Sequence, residues 1–370
     1  MQSMFIYTTR DDGAGFDVSS LAYDVTYTSS IDGQPGKLTF SLKKDPNGIL
    51  KLENGYAVAF WHDGQGVFFG YIFTMGLNSK GEYKITAYDQ MRYLQNHSYE
   101  IVANGDTLDG VFDKVCTHLN LKHKIVSGCT QIKLRPKVYV DEKAYDIIKQ
   151  SMDEVAVGGY TTKGGRDVAA VENTLGYKDM TSQQQDAVGF WNEYFIAPFN
   201  FIRDKFGILE LNEIQANAKA SRLVVIGEGS LLTDYDYQAT IDSDTYNRIE
   251  FLENIEKQGK RYVGDVEDKE TQKKWGVLKL IKEVHGSSNT QMFDKYKQLL
   301  LESTNRVQQS IKINALGVDG LYAGDAFVFD LKSKLGIYSV MYITGITHNY
   351  GRVHTMSIDT KVYPNLAGAL

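Results

Sequence analysis

"GIYSVMYITGITHNYGRVHTMSID", residues 336–359, is rich in β-branched and aromatic side chains and has no helical spacing. Up to Tyr350 it reads as one strand of about 14 residues, which at ~3.3 Å per residue spans about 46 Å. Ordinary strands are shorter, and long ones suit barrels and tubes. Gly351 marks a turn, and "VHTMSID" returns as the hairpin partner. A three-residue loop of Tyr350, Gly351 and Arg352 sets His348 against His354, Ile346 against Met356 and Thr344 against Ile358, all on one apolar face. A two-residue turn would scatter that apolar set over both faces.

The facing histidines raise the question of a metal centre. Zinc takes three or four ligands, Asp359 points to the opposite face, and the two cysteines, Cys116 and Cys129, lie far away in sequence. The pattern therefore favours a packed or hydrogen-bonded cross-strand pair. On this reading the chain has no catalytic, cofactor-binding or metal-ligating residues.

Upstream, "QSIKINAL" (309–316) and "DAFVFDL" (325–331) complete a closing β-meander. A second meander opens the chain. "YDVTYTS" (23–29) and "KLTFSLKK" (37–44) form a hairpin with Tyr23, Val25, Tyr27, Leu38, Phe40 and Leu42 on its apolar face. "YAVAFW", "VFFGYIF" and "YKITAYD" follow, separated by turn residues. The glycines of "GQGVFFG" lie between strands and lack dinucleotide-loop spacing.

Between the meanders the period changes to that of helices. Leu108, Val111, Phe112, Val115, Cys116 and Leu119 form one stripe, capped by Asp106 or Thr107, so Cys116 is expected to be a buried structural thiol. Ala144, Ile147, Ile148, Met152 and Val155 form a second stripe, with Asp141 as the expected cap. Residues 158–193 break the rhythm and read as an exposed insertion with a short helix from about Thr181. "YFIAPFNFIRDKFGILELNEI" (194–214) and "RLVVIGEGSLL" (222–232) return to strands, and a charged, partly helical stretch follows at 265–305.

These elements define an α+β, mainly β fold with three expected domains: a first β domain over 1–100, an α+β middle over 101–215, and a second β domain over 216–370. The 40 basic and 46 acidic residues give a net charge of -6, which disfavours specific nucleic-acid binding by the whole surface. No apolar run approaches bilayer length, and the start does not resemble a signal peptide, so a soluble protein made in a reducing compartment is expected. The 24 tyrosines against 5 prolines suit a β-rich assembly component. Zinc-protease, P-loop, nucleophile-elbow and C-x-x-C signatures are missing. Paired carboxylates for glycan hydrolysis stay open, because their separation in space is not written in sequence.

Six stretches in order carry a resemblance: "ITAYDQMRYLQNHSYEI" (85–101), "FIRDKFGILELNEI" (201–214), "VIGEGSLLTDYDYQATIDSDTYNRIEF" (225–251), "KKWGVLKL" (273–280), "INALGVDGLYAGDAFVF" (313–329) and "ITGITHNYGRVHTMSID" (343–359). Together they resemble the XkdQ/YqbQ family of phage and phage-like contractile tail baseplate hub proteins, similar to the hub part of VgrG-type spikes. The resemblance implies two tube-like antiparallel β-barrel domains per chain, with helical and α+β segments inserted. It implies a homotrimer that joins the hexameric tail tube to the threefold spike, with no enzyme activity. Implied partners are the tube, spike and tape-measure proteins, a LysM-type tail protein and baseplate wedge proteins, with no membrane. The chain would be made in the bacterial cytoplasm and sit at the baseplate centre of a virion or bacteriocin particle. The alternative reading is a tail-associated peptidoglycan hydrolase.

Overall fold

The structure is a computed structural model and describes residues 1–8, 13–127, 133–134, 136–156, 200–214, 216–217, 224–255, 259–284, 297–298, 300–302 and 304–361. The insertion at 158–193 and Cys129 lie outside the described residues. Two compact units emerge. The first comprises Met1–Met152, Phe199–Asp236 and Ile311–Leu370, and the second comprises Asp153–Pro198 and Tyr237–Ser310.

The first unit begins with an antiparallel module: β1 (Gln2–Tyr7), β2 (Gly15–Asp17), β3 (Ala22–Ser30), β4 (Lys37–Leu42), β5 (Ala57–His62), β6 (Gln65–Leu77) and β7 (Tyr83–Tyr88). Alternation decides which side chains point inward. Leu38, Phe40 and Leu42 of β4 are buried beside Val25 and Tyr27 of β3, and Met4, Ile6, Val58 and Phe60 close the same core. Tyr23, expected on this face, is only half-buried. The β3–β4 pairing shifts between Tyr23 and Thr26, where Asp24 adopts φ 53°, and this bulge turns Tyr23 partly out.

A mixed middle follows: α1 (Met91–Leu94), β8 (His97–Ala103), α2 (Leu108–His118), β9 (His123–Ile125), β10 (Lys137–Lys143), α3 (Ala144–Ala156), β11 (Asn200–Asp204) and β12 (Leu209–Glu213). The α2 stripe is sealed from Leu108 to Cys116, and the Thr107 side chain caps it by accepting from the Gly110 N–H. Burial pushes the Cys116 thiol up to about 12, so it stays protonated and inert. Asp141 is not the α3 cap. It lies inside β10 with φ 54°, and the helix starts directly after Lys143. β11, β12 and β9 form one three-stranded sheet, with β12 central, antiparallel to β11 and parallel to β9.

β13 (Val225–Gly227) and β14 (Leu232–Thr240) come next, and β14 leads into the second unit. There β15 (Arg248–Ile255) lies between antiparallel β16 (Gly259–Glu267) and, beyond α4 (Lys269–Trp275), parallel β17 (Lys279–Val284). Asp268 caps α4 by accepting from the N–H groups of Glu270 and Thr271. The stretch 265–305 thus holds a strand as well as helix, and Leu300 and Leu301 pack with Ile249 and Phe251 in a small core.

The chain returns along β18 (Gln308–Leu316) to a second β module with β19 (Ala326–Leu331), α5 (Lys332–Leu335), β20 (Ile337–Tyr350) and β21 (His354–Lys361). Its own core holds Ile313, Phe327, Phe329, Ile343, Ile346 and Ile358. β20 has the fourteen residues that the sequence suggests. Its hairpin register differs by two residues from the expected one. Tyr350 faces His354 and His348 faces Met356, so the loop is Gly351–Arg352–Val353. A two-residue slip keeps every side chain on its face, which is why burial alone does not distinguish the registers. Tyr350 settles it by remaining in the strand, buried in the first module's core and stacked on His354 at 4.3 Å.

The modules join through β20 and β3, antiparallel from Gly345 opposite Ser30 to Tyr350 opposite Val25. A single sheet therefore runs β14-β18-β21-β20-β3-β4-β7-β6-β5-β1-β2. The fold is the mainly β, α+β architecture expected, with two β modules, antiparallel but for the parallel β13–β19 pair, and inserted helical segments.

Candidate functional site

The segment Gly317–Asp325, between β18 and β19, ties the two modules and the middle together. Gly317 approaches the hairpin so closely that a Cβ would sit 2.2 Å from the His354 ring, and its N–H donates to the His354 carbonyl at 2.8 Å. Asp319 Oδ2 accepts from His62 Nδ1 at 2.7 Å. The Tyr322 hydroxyl donates to the Gly66 carbonyl at 2.9 Å. Gly324, at φ 90°, lies under the Phe201 ring of β11.

Four polar side chains gather where this segment crosses the seam: His62 at the end of β5, Asp319, His348 on β20 and His354 on β21. His348 is buried, with Nε2 2.9 Å from the Leu321 carbonyl and Nδ1 2.9 Å from His354 Nε2. A carbonyl only accepts, so His348 Nε2 carries the proton and its Nδ1 accepts from His354 Nε2–H. Burial pulls the His348 imidazole down to about 4 and lowers His354 too, so both rings are neutral near neutral pH. The expected hydrogen-bonded pair thus exists, on the diagonal rather than directly opposed. Sequence reasoning missed His62 and Asp319, which reach the hairpin from remote segments. "WHDGQG" and "GVDGLYAGD" show them only as turn residues.

A second polar group lies where the segment meets β11 and β12. The Arg203 guanidinium donates to Asp325 Oδ1 at 2.8 Å, Glu210 Oε2 at 3.1 Å and Asn217 Oδ1 at 3.2 Å, all buried. Burial alone would raise the Glu210 carboxyl, but the Lys124 ammonium and Arg203 outweigh it and hold it low. Close by, Asp89 and Asp204 form a buried pair. Asp89 accepts from the N–H groups of Gly36 and Met91, and Asp204 from those of Gln90 and Gly207. Desolvation first, and the neighbouring carboxylate second, raise Asp89 well above the ordinary range; desolvation brings Asp204 to about 6. Their cavity is about 10 Å³, room for one water.

These groups form hydrogen-bonded polar networks at the joint between the two β modules. The fold is similar to those of solved phage tail proteins. A tail protein from Neisseria meningitidis MC58 superposes with a TM-score of 0.62 at 13% identity, covering 99% of this chain and 98% of that one. The 43 kDa tail protein of prophage MuSo2 from Shewanella oneidensis gives 0.60 at 12% identity, covering 97% of each chain. The E. coli c3393 protein, a type VI secretion component similar to the T4 tail proteins gp27 and gp5, gives 0.52 at 9% identity, covering 99% of this chain and 78% of that one. A search of curated proteins finds no sequence match. Residues 25–161 and 198–361 match the YQBQ-like family, and the chain belongs to it.

Proposed function

We propose that this chain is the structural hub of a contractile tail or tail-like particle, a homotrimer that joins the sixfold tail tube to a threefold spike. The observation that carries this reading is the pair of β modules within one polypeptide, joined edge to edge by β20 and β3 into one sheet. Three such chains supply six modules, matching a sixfold ring above while keeping threefold symmetry below. Followed along its main path, the sheet ends at β14, a nine-residue strand, and at β2, a three-residue strand. Edge strands invite strand addition, so these ends are where neighbouring protomers meet head to tail. The tube, spike, tape-measure, LysM-type and wedge proteins are the expected neighbours at the baseplate centre of the particle. Among the described residues, no helix is long and apolar enough to cross a membrane.

Electron microscopy of assembled particles tests this reading. Three copies forming a ring of six β modules at the base of the tube are expected. Six copies, or a position in the sheath, would overturn it.

A further inference from the structure

The hydrogen-bond chain at the seam fixes more than the orientation of two rings. Because the Leu321 carbonyl places a proton on His348 Nε2, and His348 Nδ1 then accepts the hydrogen bond of His354 Nε2–H, His354 Nδ1 is left with a bare lone pair. That nitrogen points at Asp319 Oδ1, 3.5 Å away, a buried carboxylate oxygen that receives no hydrogen bond. Two acceptors face each other across a space with no proton between them. His62 Nδ1 reaches the same carboxylate from the other module, and the three donor atoms lie within 4.8 Å of one another.

We propose that His62 Nδ1, the Asp319 carboxylate and His354 Nδ1 form a three-ligand site for a divalent first-row transition cation of the Zn²⁺ type, which pins the first β module to the second. Two imidazoles with one carboxylate suit Zn²⁺, Co²⁺ or Ni²⁺, whereas Ca²⁺ and Mg²⁺ prefer all-oxygen sets. Ligand distances of about 2.0–2.1 Å need only small rotations of side chains that already converge. The His62 Nδ1 proton reappears on Nε2 as the metal binds, so both rings ligate as neutral imidazoles. The His354–His348–Leu321 relay is the kind of outer support that metal-bound histidines use to fix tautomer and ring plane. Tyr350 adds a wall, stacked on His354 at 4.3 Å and tilted against His62 at 4.9 Å. The ligand side chains are 14%, 21% and 11% exposed, sheltered yet reachable by an ion.

The test uses the full chain without an affinity tag, stripped with chelator and titrated calorimetrically with ZnCl₂. One Zn²⁺ per chain is expected, with a melting temperature raised by about 4 °C at hundredfold excess over Kd. Asp319→Asn and His62→Gln should each weaken uptake tenfold to a hundredfold, while His118→Gln, on the remote helix α2, should not change it. Should a ligand variant fail to fold, the wild-type chain decides. X-ray absorption of its Zn²⁺ form must show nitrogen and oxygen neighbours including two imidazoles. No uptake by the folded wild type, uptake indifferent to Asp319→Asn, or a coordination shell lacking two imidazoles would overturn the site. None of these results depends on the hub reading, which is settled by copy number and position.

Discussion

Inside the second β module, Phe329, Ile343, Ile346 and Ile358 are sealed against one another, whereas Arg203, Glu210, Asp325 and His348 along the seam are nearly as buried and are polar. Burial of each large apolar side chain contributes about 1.5–3 kcal/mol. A satisfied buried ion network is close to neutral, because desolvation offsets most of the attraction, yet removing one partner is costly. The module interiors therefore supply most of the stability, and the seam supplies directional contacts between the modules.

Phe329→Ala is expected to cost about 4 kcal/mol in urea unfolding, since a fully buried ring leaves a cavity in a packed core. Arg203→Ala should cost about 3 kcal/mol by taking the guanidinium away from the buried Asp325 and Glu210 carboxylates. Combining Arg203→Met with Asp325→Asn and Glu210→Gln should recover most of that loss. If the single variant costs less than about 1 kcal/mol, the contrast between core and seam fails. Gly324→Ala should cost about 2 kcal/mol, from φ 90° and a Cβ 2.2 Å from the Phe201 ring.

The buried carboxylates sharpen the contrast through pH. Asp204 is raised to about 6 by desolvation, so the folded chain holds a proton where the unfolded chain has lost it. Stability from this group is greatest below the ordinary carboxylate value and is lost as pH rises through about 6. Between pH 7 and 5 the wild type should gain about 1–2 kcal/mol relative to Asp204→Asn, measured by paired denaturation curves. The smallest effect belongs to the Thr28–Thr347 pair, whose hydroxyls lie 3.2 Å apart across β3 and β20. Thr347→Ala should cost about 0.5 kcal/mol, and a loss several times larger would mean the join depends on side chains more than backbone.

Local periodicity made much of the fold legible. Leu38, Phe40 and Leu42 marked the inner face of β4, the Leu108–Cys116 stripe marked α2, and β20 was readable at its full length. What failed was information with no period. The hairpin slip preserved parity, so the register rests on long-range contacts such as those of Tyr350 with the first module. Asp141 carried the chemistry of a cap, but a strand running straight into α3 left that position to Lys143. The seam was least legible: His62 and Asp319 are brought together from distant segments, and each alone is a turn residue. Arg203 gave no sign that its partner would be Asp325.

β20 also has a mechanical consequence. Its first half belongs to β19 and its second half to β3, so one continuous strand threads both modules. Tension along that strand loads the Gly345–Tyr350 rungs together, in shear, whereas prising the modules apart sideways would break them one after another. A joint of this kind is stiff lengthwise and weak to peeling.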